Sequence, residues 1–143
     1  MQLKEIMTRE VETVAADATL QEAAEKMASA DVGFLPVMRD QVPVGVVTDR
    51  DVTVRAVARG DDPRQTPVHK VMTPGVETLP EDRSVDEAAQ LMRERQIRRL
   101  LVEDINRRIV GVVALADLAL ETRDQRLSGQ TLQSVSDPHT VET

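Results

Sequence analysis

Ile6-Met7-Thr8-x-x-Val11-Glu12-Thr13 returns as Val71-Met72-Thr73-x-x-Val76-Glu77-Thr78, 65 residues further on. The match extends outward from there. Asp17, Glu22-Ala23-Ala24, Met27, Leu35 and Val37 align with Asp82, Glu87-Ala88-Ala89, Met92, Leu100 and Val102 at the same offset. The register then slips by one residue, and Val44-Gly45-Val46-Val47-x-x-x-Asp51 aligns with Val110-Gly111-Val112-Val113-x-x-x-Asp117. Two copies of one unit fill nearly the whole chain, so a repeat architecture is established before any element is assigned.

Each copy has the same local grammar. Leu3–Met7 and Val68–Met72 read as short helical turns, and Val11–Val14 and Val76–Leu79 as short strands. Thr19-x-x-Glu22 and Ser84-x-x-Glu87 have the spacing of capping boxes, in which the hydroxyl accepts from the N3 amide and the Glu reaches back. Leu20, Ala23, Ala24 and Met27, like Val85, Ala88, Ala89 and Met92, then fall on one helical face. Two apolar runs follow each helix. Phe34–Met38 and Val42–Val47 flank Arg39-Asp40-Gln41, while Arg99–Glu103 and Ile109–Val113 flank Asp104–Arg108. Their β-branched content and short spacing predict hairpins. A second helix is expected from Asp49 to about Arg59, stopped by Gly60 as its C-cap, and from Ala116 to about Arg123.

The pattern is therefore β-α-β-β-α used twice, an α+β fold with two pseudo-symmetric repeats expected to pack sheet to sheet. The first repeat is set at 2–60, a polar linker with two prolines at 61–67, and the second repeat at 68–122. Residues 123–143 form a polar tail, with Leu132 and Val135 anchoring a short helix from about Thr131 and disorder beyond Pro138.

Composition narrows the function classes. A net charge of -7 and a pI near 4.9 argue against a general nucleic-acid or membrane-surface partner. No cysteine is present, which removes disulfides, thiolate catalysis and Cys-ligated metal. His69 and His139 lack companion ligands, so no metal site is expected. No nucleophile–base arrangement stands out, so the chain reads as non-enzymatic, without a catalytic cofactor. Apolar runs fall far short of a membrane span, and the chain reads as cytoplasmic. Phe34 is the only aromatic residue. The core must be aliphatic, and a planar ligand must lie between aliphatic side chains and backbone.

At this point the chain resembles a tandem pair of CBS (cystathionine β-synthase) domains, one Bateman-type module, of the small stand-alone bacterial kind. The resemblance rests on the Ile6-Met7-Thr8 and Val71-Met72-Thr73 openings and on the Glu-Ala-Ala-x-x-Met helices. It continues through Gly33-Phe34-Leu35-Pro36-Val37 and Ile97-Arg98-Arg99-Leu100-Leu101-Val102 to the Gly45–Asp51 and Gly111–Asp117 ends. It covers about residues 2–122. It implies a regulatory module that binds an adenosyl ligand (AMP, ADP, ATP or S-adenosylmethionine) in the cleft between the repeats. It also implies a homodimer formed through the repeat helices, signalling through that dimer or through a protein target. The alternative is a ligand-free dimeric interaction scaffold in stress or dormancy physiology.

The family's ribose-phosphate motif, Gly-h-h-[Ser/Thr]-x-x-Asp, stands complete in the first copy as Gly45, Thr48 and Asp51, with Arg50 as a further phosphate partner. There the Gly lets backbone approach the ligand, the hydroxyl donates to phosphate and the Asp accepts from ribose hydroxyls. In the second copy Gly111 and Asp117 stand, but Ala114 replaces the hydroxyl and Ala116 the arginine. The base-side positions are Thr13, Val14, Phe34, Pro36, Thr78, Leu79 and Ile97, with Arg98 and Arg99 within reach of phosphates. Leu101 stands where the family has proline. Read from the residues alone, other roles stay open: Asp51 and Asp117 as helix caps, Thr48 as a strand-end cap, Phe34 as a core residue, and Arg98-Arg99 as a solvated edge or an ion pair with Glu103 or Asp104.

Overall fold

A computed structural model describes residues 1–119. The expected tail helix with Leu132 and Val135, the break at Pro138, His139, and the second half of the helix expected to reach Arg123 lie outside the described residues. The chain divides into two compact units. One is continuous, Val11–Val76; the other is split, joining Met1–Glu10 to the chain from Glu77 onward. Structural units and sequence repeats therefore differ. The opening segment of each repeat belongs to the unit built by the other repeat.

In the continuous unit, β1 (Val14–Ala15), β2 (Phe34–Arg39), β3 (Val42–Thr48) and β4 (Thr73–Pro74) form one sheet in the order β1-β2-β3-β4. β1 runs parallel to β2, with Val14 opposite Val37, and β2–β3 is an antiparallel hairpin. Asp40 and Gln41 both have positive φ, 52° and 66°. That is the backbone of a two-residue hairpin turn whose twist matches the flanking strands. The outer strand β4 comes from the opening of the second repeat and pairs Gly45 with Pro74 and Val46 with Thr73. Helix α1 (Leu20–Ala30) lays Leu20, Ala23 and Met27 on a core completed by Leu35, Val37, Val47, Ala56, Val68 and Val71.

The split unit repeats this plan. β5 (Thr78–Pro80), β6 (Arg99–Glu103) and β7 (Ile109–Ala114) form its sheet, and Thr8 bridges Val112 at the edge that β4 occupies in the other unit. Helix α3 (Val85–Arg95) buries Val85, Ala88 and Met92 against Leu100, Val102 and Val113, with Leu3 and Met7 of the exchanged segment completing the core. A fourth helix, α4 (115–119), begins where β7 ends. The longer connection here is closed by Asp104, whose Oδ1 accepts from the amides of Asn106 (2.8 Å) and Arg108 (3.0 Å).

Two local expectations need correction. The first strands start later than Val11 and Val76, because the ladder begins only where Val14 and Thr78 meet β2 and β6. The capping boxes at α1 and α3 form only their hydroxyl halves: Thr19 Oγ1 accepts from Glu22 N (3.2 Å) and Ser84 Oγ from Glu87 N (3.1 Å). Glu87 turns instead to Arg83, 3.2 Å away. The polar linker also forms a turn that packs its carbonyls on the start of α1. Its Thr66 and Pro63 carbonyls accept from Leu20 N and Gln21 N, satisfying first-turn donors of α1 that have no partner within the helix. Within it, the Arg64 amide and guanidinium hold the Asp62 carboxyl below its ordinary value. In the split unit the Met1 carbonyl takes the corresponding place, accepting from Val85 N.

Candidate functional site

The complete motif of the first copy lies at the corner where β3 turns into the second helix of the continuous unit. This helix, α2, starts as an α turn at Asp49–Asp51, widens into a π turn at Val52–Ala56 and closes in a 3-10 turn at Val57–Arg59. Gly60 then caps it with φ 78°. The expected helix from Asp49 to Arg59 is thus present with the expected stop, but with a π segment that apolar spacing does not announce.

Thr48 and Asp51 hold each other at the corner. Thr48 Oγ1 accepts from Asp51 N at 3.0 Å, and Asp51 Oδ2 accepts from Thr48 N at 3.0 Å. A reciprocal box therefore forms here, where the sequence spacing had placed it at α1 and α3. The cap reading of Asp51 and Thr48 is realised, and it leaves chemistry over. A hydroxyl that accepts still has its proton to donate, and a carboxylate has a second oxygen. Among the described residues, Asp51 Oδ1 is paired only with Arg55, 3.9 Å away, and its side chain keeps 12% exposure. Arg50 is exposed and its guanidinium makes no hydrogen bond or ion pair among the described residues. Asp49, which the motif leaves unspecified, adds a carboxylate. Its Oδ1 accepts from Arg50 N (2.7 Å), while its amide donates to Gly33 O (2.9 Å).

Gly45 serves a purpose other than the expected one. A Cβ there would lie 2.6 Å from the Thr73 carbonyl oxygen and 2.9 Å from Met72 Sδ. The space beside its α-carbon is filled by the chain's own β4 segment, not held open for a ligand. Gly111 is the twin: a Cβ there would run into the Met7 side chain. Both glycines are seats for the methionine of an exchanged opening segment.

Of the base-side positions in this unit, Val14 and Pro36 are buried, while Thr13 and Phe34 are half-buried. The Thr13 carbonyl accepts from Lys26 Nζ at 2.6 Å, a partner the sequence motif does not include. Thr13, Val14, Phe34, Pro36, Thr48, Arg50 and Asp51 all belong to the one continuous unit. In the split unit the parallel corner is barer. Leu115 N donates to Arg98 O (2.7 Å) as Asp49 N does to Gly33 O, so the backbone plan is kept. Ala114 has no side chain to cap α4, and Asp117, half-buried, has no hydrogen bond or ion pair among the described residues. Arg98 and Arg99 are exposed, Thr78, Leu79 and Ile97 half-buried, and Leu101 is buried in the sheet. Among the described residues, no three His, Asp or Glu side chains gather where a metal ion would sit. No helix there is long and apolar enough to cross a membrane.

Comparison with known proteins agrees with this architecture. The family model described as "CBS domain" matches twice, at residues 3–57 and 68–123. The chain is 41% identical over 134 residues to the CBS domain-containing protein YhcV of Bacillus subtilis, covering 94% of each. It is similar to the structure of Hypoxic Response Protein I with two coordinated zinc ions, with TM-score 0.71 and 31% identity over 84% of this chain and 98% of that one. It is also similar to the CBS domain pair of protein MJ0100 in complex with 5-methylthioadenosine and S-adenosyl-L-methionine. There the TM-score is 0.73 and the identity 26%, over 87% of this chain and 98% of the other.

Proposed function

This chain belongs to the CBS-domain family, whose stand-alone pairs are regulatory rather than catalytic, and from that premise we propose that it senses an adenosyl ligand at the Thr48–Asp51 corner. The observation that carries the reading is the reciprocal Thr48–Asp51 box. It fixes a hydroxyl with a proton to donate and a carboxylate oxygen with lone pairs to offer at the start of one helix. Vicinal ribose hydroxyls are suited to that carboxylate, and a single phosphate or the carboxylate of an amino-acid chain to the Thr48 and Arg50 side. The helix N-terminus adds a favourable field for negative charge. The adenosyl compounds held by the MJ0100 pair support the same ligand class.

Local charge refines the choice. Asp49 and Asp51 stand against Arg50 and Arg55, and Arg55 is already engaged by backbone carbonyls. One guanidinium remains for one anionic group. The corner therefore favours AMP, or S-adenosylmethionine through its carboxylate, over the polyphosphate of ATP. The second corner keeps Asp117 and lacks both phosphate donors, which suits an uncharged adenosyl group or no ligand. Val54 and Val57 are 50% and 63% exposed on the outer side of α2, and this apolar pair supports dimer formation through the repeat helices. If the corner proves empty, that surface supports the scaffold reading instead.

Calorimetric melting with a panel of adenosyl compounds tests the proposal. A ligand at about 100 times its Kd stabilises by roughly 2.7 kcal/mol, a shift of several degrees for a chain of this size. The expected result is a shift with AMP or S-adenosylmethionine that Asp51→Ala abolishes. An unshifted melt with every compound at millimolar concentration rejects the proposal.

A further inference from the structure

Arg55 touches two things that the sequence keeps apart. Its Nε lies 3.9 Å from Asp51 Oδ1, the oxygen left available at the corner. Its NH1 donates to the carbonyls of Val71 and Met72, 3.3 Å from each. Those carbonyls end the 3-10 turn Val68–Lys70 and lie at the root of β4, the strand contributed by the second repeat. Met72 also rests on Gly45. The continuous unit ends three residues after β4 begins, at Val76, where the chain passes into the split unit.

By sequence, the second copy has no arginine at the matching position. At the offset that matches Asp51 to Asp117, Arg55 corresponds to Glu121, just as Thr48 corresponds to Ala114 and Arg50 to Ala116. A glutamate carboxylate accepts and cannot donate to carbonyls. The arginine is therefore no generic feature of the repeat; it occurs only with the complete motif. The π turn Val52–Ala56 that carries it also departs from regular helix, as such turns often do at functional sites.

We propose that Arg55 is a positioning residue that couples the Asp51 carboxylate to the root of β4, so that occupancy of the corner loosens the segment Val71–Gly75. This rests on the reading of the corner as a ligand site. Asp51 aims the guanidinium across α2, and the guanidinium clamps the two carbonyls. When ribose hydroxyls share the carboxylate's charge, the aim weakens and the clamp relaxes.

Amide hydrogen exchange on the full chain reads the clamp directly. Val71 N and Met72 N donate to Val68 O, and Gly75 N to Val44 O, while Ala88 N and Ile97 N of the split unit serve as controls. Asp51→Asn keeps the capping oxygen and removes the charge. It is expected to speed exchange at Val71, Met72 and Gly75 about threefold, the scale of an exposed ion pair, with the controls unmoved. In an Arg55→Gln background the same substitution should change nothing at those amides, and Arg55→Lys should respond in between. An equal Asp51→Asn effect in both backgrounds, or none in the native one, overturns the coupling. The same amides are then followed with AMP and S-adenosylmethionine as probes. Binding that leaves Val71–Gly75 unchanged in the native protein also overturns it. Absence of any binding by calorimetry removes the proposed ligand reading, while the substitution cycle still decides the role of Arg55.

Discussion

Replacing Gly45 by alanine tests the exchanged architecture at its tightest point. The new Cβ would meet a backbone atom, the Thr73 carbonyl oxygen, at 2.6 Å. Relief requires β4 to retreat by roughly 1 Å, since carbon contacts are comfortable only at about 3.5 Å and beyond. That retreat strains the Gly45–Pro74 and Val46–Thr73 pairs and the Gly75 N to Val44 O bond of 3.1 Å. Net losses of about 1 kcal/mol per broken bond, within the range of about 1–3 kcal/mol for an overpacked site, give an expected cost of about 2–3 kcal/mol. At a few degrees per kcal/mol, the melting temperature should fall by about 5–10 °C. The chain has no Trp or Tyr, so far-ultraviolet circular dichroism in urea and scanning calorimetry are the suitable assays. Gly60→Ala is the control: nothing lies within 4 Å of its Cβ, and its φ of 78° makes the cost about 1 kcal/mol. A Gly45→Ala protein that melts within about 1 °C of the native one would falsify the claim that β4 of the second repeat is seated on the first repeat's sheet.

Further expectations follow from the same geometry. Gly111→Ala collides with the flexible Met7 side chain rather than backbone, so Met7→Ala should offset part of its cost in a double-mutant cycle, whereas Met72→Ala should leave Gly45→Ala nearly unrelieved. Ala114→Ser supplies the cap that α4 lacks and should stabilise the protein by about 1 kcal/mol in urea unfolding; a destabilised variant contradicts the N-cap assignment. Thr48→Val should cost about the same amount by stranding Asp51 N, and a neutral result argues against the reciprocal box. The Asp62 carboxyl, held down by Arg64, should titrate below 3.8 by carboxyl-carbon NMR. Any stability it contributes is present above that pH and is lost as pH falls through its folded value. Arg64→Ala keeps the residue-64 amide, the larger cause, and removes the guanidinium, so the midpoint should rise part of the way toward 3.8; an unmoved midpoint refutes the guanidinium's share.

Much of the fold was legible because it is written twice. The 3.6-residue spacing places Leu20, Ala23 and Met27 and Val85, Ala88 and Met92 on the core, and all six are buried, whereas Ala24, expected on the same face, is exposed and Ala89 half-buried. The hairpin strands follow from β-branched runs around polar turns, and Gly60 does end α2. The exchange of opening segments was not legible, for a physical reason. Because the repeats are alike, Met7 fits Gly45 as well by sequence as Met72 does, and nothing local says which sheet edge a segment joins. The role of the glycines was hidden by the same fact, since what fills the space beside Gly45 lies 27 and 28 residues along the chain, at Met72 and Thr73. Arg55 was missed for want of a motif, although Asp51 and Arg55 stand at helical i,i+4 spacing, which is the signal that pointed to it. The capping box was assigned by its Ser/Thr-x-x-Glu pattern. In the fold Glu87 finds Arg83, and the reciprocal bonds appear with a shorter Asp at position 51.

Isothermal titration of the full chain with AMP and S-adenosylmethionine, native against Asp51→Ala, tests the ligand reading most directly. Losing a charged acceptor for ribose hydroxyls should weaken binding at least about tenfold, with folding of the variant checked by circular dichroism. Binding to the native protein that Asp51→Ala abolishes or weakens in this way is the predicted result. Equal affinity in the folded variant, or no heat with either compound, contradicts the assignment of the Thr48–Asp51 corner.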